Sequence, residues 1–297
     1  MAGGPLRLAT RGSPLARAQA ERVATLLNVE CELVIVSTAG DRRADEPIWR
    51  MGGKGVFVKE VQQAVLDGGA DIAVHSAKDL PASTPDGLVL AAFPERVDPR
   101  DALVGTHLDD LPTGARVATG SVRRRAQLAH LRPDLTFAEL RGNIETRVAK
   151  ALDHAAVVVA NAALIRAGLT PAVVDPLEPA VMLPQVGQGA LALECRSDDD
   201  ATLAALSAID RPDVRIAVTA ERGYLSALGG DCNLPAGAFA QPLDGGGVAI
   251  EVLLASLDGH VVLRHRARGS DPDTVGRDAA RALLDEQGGR MLVEAAP

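Results

Sequence analysis

The chain has 297 residues and a formal net charge of −8; 47% of its residues are hydrophobic, 24% are charged and 2% are aromatic. This length suits two or three domains, and the composition is that of a folded globular protein rather than a disordered one. The negative charge and the scarcity of aromatic side chains argue against a nucleic-acid-binding protein, and no apolar run approaches the ~20 residues that a membrane-spanning helix needs.

The first part of the chain alternates short apolar runs with helical patterns. Strands are predicted at residues 6–10, 32–37 and 71–76. Ser13 and Pro14 are typical of the start of a helix, and a second helical pattern ends at Gly68. This β-α-β-α-β order predicts a sheet with helices on both of its faces.

The alternation restarts after about residue 98. Strands are predicted at 101–105, 116–120, 135–140 and 155–160, with helices after Ser121, Asn143 and Asn161 as N-caps. A strand at 189–195 is expected to return the chain to the first unit. A helix at 213–228, three strands and a last helix near 273–287 predict a smaller α+β domain. The predicted fold class is therefore α/β, with two lobes and a smaller C-terminal α+β domain.

Two charged residues follow the predicted strand at 71–76. Lys78 and Asp79 lie just beyond its carboxyl end, where open α/β sheets build their sites. An aspartate there can act as a general acid or base, or can stabilise a developing cation. The structural alternative is that Asp79 caps a short helix and that Lys78 is solvated.

Arginines gather at other predicted strand ends. Ser121 is followed by three consecutive arginines at a helix start, where cations oppose the helix dipole unless an anion is bound. The arginines of interest are Arg11 (beside Ser13), Arg123, Arg124, Arg141, Arg147 and Arg166. Because arginine binds carboxylates and phosphates in a bidentate manner, this pattern indicates a ligand with several anionic groups. The alternative for the cluster is a solvated charged face.

Nucleotide and metal sites are weakly supported. The GGKG stretch at 52–55 lacks the Ser or Thr that a phosphate loop needs after its lysine, Lys54. The VGQGALA stretch at 186–192 precedes a strand, whereas a dinucleotide fingerprint follows one. The six histidines have no ligand spacing, so we predict no metal site. His75 is interpreted as a packed residue at a strand end.

The three cysteines differ in their surroundings. Cys31 and Cys195 lie in predicted strands and are interpreted as structural, whereas Cys232 lies among turn residues in the LGGDCNLPAG stretch. Cys232 is therefore the candidate attachment point or nucleophile. The cysteines have no paired spacing and the first ten residues lack a signal-peptide pattern, so we expect a cytoplasmic protein.

Taken together, these segments resemble the porphobilinogen deaminase family, also called hydroxymethylbilane synthases. The matching stretches run in family order from about residue 6 to about residue 240: ATRGSPLA, GGKGVFVKE, DIAVHSAKDLP, RVDPRDALV, TGSVRRRAQL, LRGNIETR, LPQVGQGALALECR and GDCNLPAGA. HSAKDLP, RGN, VGQGA and the cysteine loop are highly specific as a set. The last sixty residues carry little motif information.

The resemblance implies a transferase of tetrapyrrole (haem) biosynthesis. Such an enzyme joins four porphobilinogen molecules head to tail onto a covalent dipyrromethane cofactor, releases ammonia at each addition, and finally releases linear hydroxymethylbilane. Cys232 matches the residue that carries the cofactor through a thioether, and Asp79 matches the catalytic aspartate. The expected partners are porphobilinogen and its oligopyrrole intermediates, with no nucleic acid and no membrane, and the expected state is a monomer.

The resemblance also assigns the other site residues. Cofactor binding is implied for Lys78, Ser121, Arg123, Arg124 and Arg147. Substrate binding is implied for Arg11, Ser13, Lys54, Arg141 and Arg166. Each pyrrole unit carries an acetate and a propionate, so the growing chain is strongly anionic and arginines suit it. Residues 37–50 are expected to form a lid.

The family fold implies three domains. They are residues 1–95 with 191–212, residues 96–190, and residues 213–297. The first two resemble the lobes of type II periplasmic binding proteins, and the third carries the cysteine loop. The chain departs from the family pattern at Asp231, where many relatives have glycine, and at Gly120, where a hydroxyl residue is common.

Two alternatives come from other functional classes. One is a non-catalytic two-lobed binding protein for an anionic solute, which would explain the lobes and the arginines without Cys232. The other is a Schiff-base enzyme that uses Lys54 or Lys78 with pyridoxal phosphate. Covalent modification of Cys232 discriminates against both.

Overall fold

The computed structural model describes residues 4–42, 55–229 and 234–294. Lys54, Asp231, Cys232 and most of the predicted lid lie outside these described residues. The strands in chain order are β1 (Leu6–Arg11), β2 (Cys31–Val36), β3 (Ile72–Ser76), β4 (Leu88–Ala92), β5 (Asp101–Val104), β6 (Arg116–Ala118), β7 (Thr136–Ala138), β8 (Ala156–Ala160), β9 (Val174–Leu177), β10 (Leu191–Arg196), β11 (Ala236–Pro242), β12 (Val248–Ala255) and β13 (Val262–Gly269).

Helices connect most of these strands. In chain order they are α1 (Pro14–Leu27), α2 (Ala39–Arg42), α3 (Lys59–Leu66), α4 (Val122–Leu131), α5 (Ile144–Ala149), α6 (Asn161–Ala167), α7 (Asp200–Ser207), α8 (Pro212–Ala227), α9 (Pro272–Arg281) and α10 (Arg290–Glu294). Short 3₁₀ turns span Ala77–Asp79 and Lys150–Asp153, and Ala282–Glu286 forms a π-helical turn. In the described part of the chain, no helix has both the length and the apolarity to span a membrane.

The chain divides into two compact units. Unit 1 comprises residues 1–97 and 190–215, and unit 2 comprises residues 98–189 and 216–297. The sheet of unit 1 has the order β2-β1-β3-β10-β4. Its strand β1 is parallel to β2 and β3, whereas β10 is antiparallel to β3 and β4. The predicted return of the strand near 189–195 to the first unit is therefore confirmed.

Alternation along the strands of unit 1 gives its sheet two buried faces. Leu8 and Val74 pack with Val23 of α1, while the adjacent strand residues Ala9 and Ala73 pack with α3 on the opposite face. Helices thus cover both faces, as the β-α-β pattern predicts. This arrangement leaves the carboxyl ends of β1 and β3 side by side at one edge of the sheet.

Unit 2 begins with a second sheet of the same kind. Its order is β7-β6-β8-β5-β9, with β6 parallel to β7 and β8, and β5 antiparallel to β8 and β9. Leu128 of α4 packs on one face with Val117 and Val158, and Leu164 of α6 packs on the other with Val157. The carboxyl ends of β6, β7 and β8 therefore share one edge.

The rest of unit 2 is an antiparallel sheet with the order β11-β12-β13, covered by α8 and α9. Tyr224 of α8 is fully buried, and its Oη donates a hydrogen bond to the Leu253 carbonyl at 2.7 Å. The turn between β12 and β13 lies against α4, where His130 Nδ1 is 3.1 Å from the Gly259 carbonyl oxygen. The predicted class, two α/β lobes with a smaller C-terminal α+β domain, is confirmed.

Helix starts follow the capping residues in most places. The side chains of Ser13, Ser121 and Asn143 accept backbone hydrogen bonds at the N-termini of α1, α4 and α5, as predicted. The prediction that Asn161 caps a helix is wrong. Asn161 is the first residue of α6, and its side-chain amide donates to Asp98 at 2.8 Å instead.

Candidate active site

Lys78 and Asp79 lie in the 3₁₀ turn that continues from the carboxyl end of β3. The turn is attached to the segment before β10, because the Ala77 N–H donates to the Ala190 carbonyl at 3.0 Å. Asp79 is the last residue of the turn, so the alternative in which it caps a helix is wrong. Lys78 and Asp79 are both partly exposed, and no described residue donates a hydrogen bond to the Asp79 carboxylate. That carboxylate is open to a ligand.

Buried polar residues fix the end of β3 beneath this turn. Gln19 of α1 donates from Nε2 to Ser76 Oγ at 2.9 Å. The neighbouring His75 is 5% exposed, and its Nε2 lies 3.1 Å from Glu194 Oε2 of β10. Gln62 of α3 donates to the same carboxylate oxygen at 2.8 Å. The burial of His75 agrees with its interpretation as a packed residue.

Arg11 is the last residue of β1 and Ser13 follows this strand, at the same edge of the sheet in unit 1. Ser13 Oγ accepts the Ala16 N–H at 3.3 Å, which starts α1. The Arg11 guanidinium is paired with Asp41, with Nε 3.2 Å from Oδ1, and lies 4.1 Å from the centre of the Phe57 ring. Arg11, Ser13, Lys78 and Asp79 therefore extend from adjacent parallel strands, an arrangement that brings ligand-binding side chains together.

Arg123 and Arg124 share one buried carboxylate at the start of α4. Arg123 Nη1 is 2.7 Å from Asp101 Oδ2, and Arg124 Nε is 2.9 Å from Asp101 Oδ1. Gln188 Nε2 also donates to Asp101 Oδ1, at 2.9 Å. The two arginines are 3% and 6% exposed, so the alternative of a solvated charged face is wrong for them. Arg125, in contrast, is exposed.

This cluster has more positive than negative charge. Burial raises the pKa of Asp101, but Arg123 and Arg124 outweigh it and lower that pKa to about 2. One ionised carboxylate therefore faces two guanidinium groups. Nε and Nη2 of Arg123 are buried and have no acceptor among the described residues. Buried donors of this kind are costly without a partner, so the cluster is suited to bind an additional anionic group.

The remaining predicted residues of unit 2 also follow parallel strands. Ser121 Oγ accepts the Arg124 N–H at 3.4 Å, and the Ser121 N–H donates to Thr119 Oγ1 at 3.2 Å. Arg141 is partly exposed, with Nη2 3.6 Å from Glu139 Oε2. Each of these side chains lies beyond the carboxyl end of β6 or β7.

Arg147 and Arg166 contact loop carbonyls in unit 2. Arg147 Nε donates to the Gly142 carbonyl at 2.8 Å, and Arg166 Nη2 donates to the Gly189 carbonyl at 2.8 Å. Both side chains are partly exposed. The structure thus gathers Arg123 and Arg124 around Asp101 and places Ser121 at the N-cap of the same helix, while Arg141, Arg147 and Arg166 lie on the segments that follow β7 and β8.

Sequence reasoning missed the acidic and aromatic partners of these arginines. Asp101, Asp41 and Phe57 hold predicted ligand-binding arginines, yet none was predicted as a site residue. The signal in the sequence that could have indicated Asp101 is an aspartate directly before the apolar run of RVDPRDALV, and the structure shows this side chain to be fully buried. Among the residues that the structure describes, no group of His, Cys, Asp and Glu side chains is arranged to hold a metal ion.

Comparisons with known proteins agree on one family. A family model described as "Porphobilinogen deaminase, dipyromethane cofactor binding domain" matches residues 6–204, and one described as "Porphobilinogen deaminase, C-terminal domain" matches residues 215–285. A relative named porphobilinogen deaminase from Brevibacillus brevis is 42% identical over 301 residues, covering 98% of this chain and 97% of the relative.

Two further relatives match the chain to a similar extent, and a solved structure is a more distant match. Proteins of the same name from Syntrophus aciditrophicus and from Roseiflexus sp. strain RS-1 are 43% and 44% identical, each covering 97% of this chain and 98% of the relative. Among solved structures, an amino acid ABC transporter substrate-binding protein from Streptococcus pneumoniae, bound to L-arginine, is 17% identical with a TM-score of 0.38. That match covers 69% of this chain and 86% of the other.

Proposed function

The chain belongs to the porphobilinogen deaminase family, and we propose that the charged residues at its strand ends carry out the reaction of that family. The protein is a transferase of tetrapyrrole biosynthesis. It condenses four porphobilinogen molecules head to tail on a dipyrromethane cofactor, with release of ammonia and finally of hydroxymethylbilane. The roles of the individual residues are our proposal.

The arginine cluster at the start of α4 fits the dipyrromethane group. The observation that carries this proposal is the pair of buried Arg123 donors, Nε and Nη2, which have no acceptor in the described part of the chain. The acetate and propionate side chains of a dipyrromethane are the acceptors that such donors need. Lys78, Ser121, Arg124 and Arg147 complete the proposed cofactor-binding set.

Cys232 is the proposed point of covalent attachment through a thioether. When bound, the dipyrromethane supplies the free pyrrole position to which the first porphobilinogen is joined. Cys31 and Cys195 are poor alternatives, because burial raises the pKa of both thiols, to about 11 for Cys195, and so disfavours the nucleophilic thiolate.

Asp79 is the proposed catalytic residue. Loss of ammonia from porphobilinogen leaves positive charge on its ring, and a carboxylate on the pyrrole N–H side stabilises that charge. The Asp79 carboxylate suits this role because no described residue donates a hydrogen bond to it and it follows directly from a rigid buried strand. The packed His75, Glu194 and Gln62 keep that strand in place.

Arg11, Ser13, Lys54, Arg141 and Arg166 are the proposed substrate-binding residues. Each described member lies at or beyond the carboxyl end of a parallel strand or on the helix that follows it. Guanidinium groups suit the acetate and propionate of porphobilinogen because they bind carboxylates in a bidentate manner. Lys54 lies outside the described residues, and its assignment rests on the family pattern.

We further propose three domains, with the boundaries 1–95 plus 191–212, 96–190, and 213–297. We also propose that the protein works as a monomer in the cytoplasm, without nucleic-acid or membrane partners. The net charge of −8 and the three cysteines without paired spacing support this proposal. Gel filtration with light scattering measures the oligomeric state.

Intact mass measurement followed by peptide mapping tests the function. Under denaturing conditions we expect an added mass of two linked pyrrole units on the peptide that contains Cys232, and its absence in Cys232→Ser. An unmodified protein that gains no adduct on incubation with porphobilinogen would contradict the proposal. It would favour a non-catalytic binding protein for an anionic solute.

A further inference from the structure

Arg11 contacts Asp41 and Phe57, and Thr38 holds Asp41 in turn; all four residues belong to unit 1. Its Nε lies 3.2 Å from Asp41 Oδ1 and 3.3 Å from Oδ2, and its Nη2 contacts Oδ1 as well. The Phe57 ring covers one face of the guanidinium at 4.1 Å, a favourable cation–π distance. One edge and one face of Arg11 are therefore held by the protein itself.

Asp41 is fixed independently of Arg11. Thr38, which is fully buried, donates to Asp41 Oδ2 from its Oγ1 at 2.7 Å and from its backbone N–H at 3.1 Å. Burial raises the pKa of Asp41, but the hydrogen bonds from Arg11 and Thr38 outweigh it and the net pKa is lowered. Asp41 is thus an ionised acceptor whose place is set by its own turn.

Gly40 lets the Phe57 ring approach that turn. A Cβ at Gly40 would lie 2.0 Å from a carbon of the Phe57 ring, a distance that no side chain could tolerate. The Gly40 N–H donates to the Val56 carbonyl at 3.0 Å, which ties the two segments together. The ring is seated because residue 40 has no side chain, and it then presents its face to Arg11.

This arrangement leaves a second edge of Arg11 for a ligand. A guanidinium can bind carboxylates along its Nε–Nη2 edge or along its Nη1–Nη2 edge. Asp41 takes the first edge, and no described residue accepts a hydrogen bond from Nη1. Each Nη nitrogen carries two hydrogens, so Nη2 can serve Asp41 and a ligand together.

We propose that Asp41 is a positioning residue for substrate binding, which holds Arg11 against Phe57 so that the Nη1–Nη2 edge is directed to a carboxylate of porphobilinogen. Asp41 itself does not touch the substrate. The inference rests on the proposed function, because it requires Arg11 to bind substrate. It differs from an autoinhibitory contact, in which Asp41 would compete with the substrate for Arg11.

The Asp41→Asn variant of the cofactor-loaded enzyme tests the proposal, since asparagine keeps the shape but removes the charge. We expect the KM for porphobilinogen to rise about tenfold, with kcat changed less than twofold, because one charge-assisted contact to Arg11 is lost. The matched control is Asp71→Asn, which breaks a similar pair at the other end of β1, where Arg7 Nη2 is 2.7 Å from Asp71 Oδ1. That control should leave KM unchanged.

Measuring Asp41→Asn in an Arg11→Lys background separates the positioning of Arg11 from other effects of the Asp41 substitution. Arg11→Lys keeps the positive charge without the planar fork, so Asp41 has no edge to direct there. We expect Arg11→Lys to raise KM, and Asp41→Asn to change it less than twofold further in that background. A fall in KM in Asp41→Asn would show competition and overturn the proposal, as would an equal rise in both backgrounds.

The outcomes also distinguish this inference from the proposed function. A wild-type enzyme that consumes porphobilinogen with a KM insensitive to Asp41→Asn overturns the inference alone. A wild-type protein that does not consume porphobilinogen overturns the function and the inference with it.

Discussion

Asp101 holds two arginines with a single carboxylate that is fully buried. Replacement by asparagine would leave two buried guanidinium groups without a counter-charge, and breaking a buried pair in this way costs about 3–5 kcal/mol. We expect Asp101→Asn to lower the free energy of unfolding by about that amount in urea titrations. The control is Asp98→Asn, because the Arg100 partner of Asp98 is partly exposed. The loss of unfolding free energy in this control should be much smaller. Equal losses in the two variants would contradict the argument.

The same residue gives stability a pH dependence. Because Arg123 and Arg124 overcome the effect of burial, the folded pKa of Asp101, about 2, lies below the unfolded value of about 3.9. The contribution of Asp101 to the free energy of unfolding is therefore fully present above the unfolded pKa, and it is lost as the pH falls through the folded pKa. The difference in unfolding free energy between wild type and Asp101→Asn should be constant from pH 8 to pH 5. It should shrink below pH 4, and a difference that stays constant there would contradict the assignment.

Asp79 gives a prediction about turnover rather than stability. Its carboxylate is not used by the described residues, so Asp79→Ala should fold normally and keep the wild-type melting temperature. Its kcat should fall by about 10²–10³, the usual loss when one electrostatic stabiliser is removed. Asp86→Ala, an exposed residue of the same unit, serves as the control and should retain full activity. Near-normal turnover in Asp79→Ala would refute the assigned role.

At the scale of single residues, the sequence predicted the placement of charged side chains at strand ends better than it predicted the residues that those side chains contact. Arg11 ends a strand, and Arg123 and Arg124 follow one, in recognisable motifs, so their placement at sheet edges could be predicted. Their partners Asp41 and Asp101 lie 30 residues and 22 to 23 residues away in the chain. Such pairings depend on how strands are ordered in the sheet, which spacing along the chain does not encode.

The turn between β12 and β13 packs against helix α4 and helps to hold it in position, in addition to the N-cap of the helix. Gly259 has a φ of +78°, and a Cβ there would lie 2.3 Å from the Ala126 carbonyl oxygen of α4. We expect Gly259→Ala to destabilise the protein by about 1–3 kcal/mol more than the positive φ alone would, because the turn must move away from the helix. Urea unfolding measures the loss.

Gly245 provides the matched control for that substitution. Its φ is +88°, and a Cβ there would have no atom within 4 Å. Gly245→Ala therefore suffers the unfavourable backbone conformation without the clash. Similar losses of stability in Gly245→Ala and Gly259→Ala would mean that the turn does not hold α4 in position.

Most elements could be predicted from apolar runs and capping residues, and the misses have physical reasons. Strand β9 has the sequence VDPL, and its proline and aspartate are residues that strands usually avoid. It lies at the edge of its sheet, next to β5 alone, where a proline is tolerated because one side of the strand needs no backbone donor. Asn161 was misassigned as a cap because Asp98, which accepts its amide hydrogen bond, is distant in sequence.

At the scale of the whole molecule, unit 1 is built from two separate parts of the chain. Strand β10 lies between β3 and β4, and its residues Leu191, Leu193 and Cys195 are fully buried in the core of unit 1. A fragment of residues 1–97 lacks this strand. We expect that fragment to show no cooperative unfolding transition, because the missing strand supplies part of the core and joins β4 to the rest of the sheet.

Adding the missing strand should restore folding. The matched control is residues 1–97 joined by a short linker to residues 190–215, which together make up unit 1. We expect cooperative thermal unfolding by circular dichroism for this fusion. A cooperative transition in the fragment of residues 1–97 alone would show that β10 is dispensable.

The central position of β10 has a consequence for the newly made chain. About 100 residues, including all of β5 to β9, are translated between β4 and β10, which takes ~5–20 s at usual rates. During that interval one side of β3 is unpaired and β4 has no strand partner, and such strands are prone to pair with other chains. Protection by a chaperone therefore matters most while this interval lasts. The sheet of unit 1 is therefore begun before the sheet β7-β6-β8-β5-β9 of unit 2 but is completed after it.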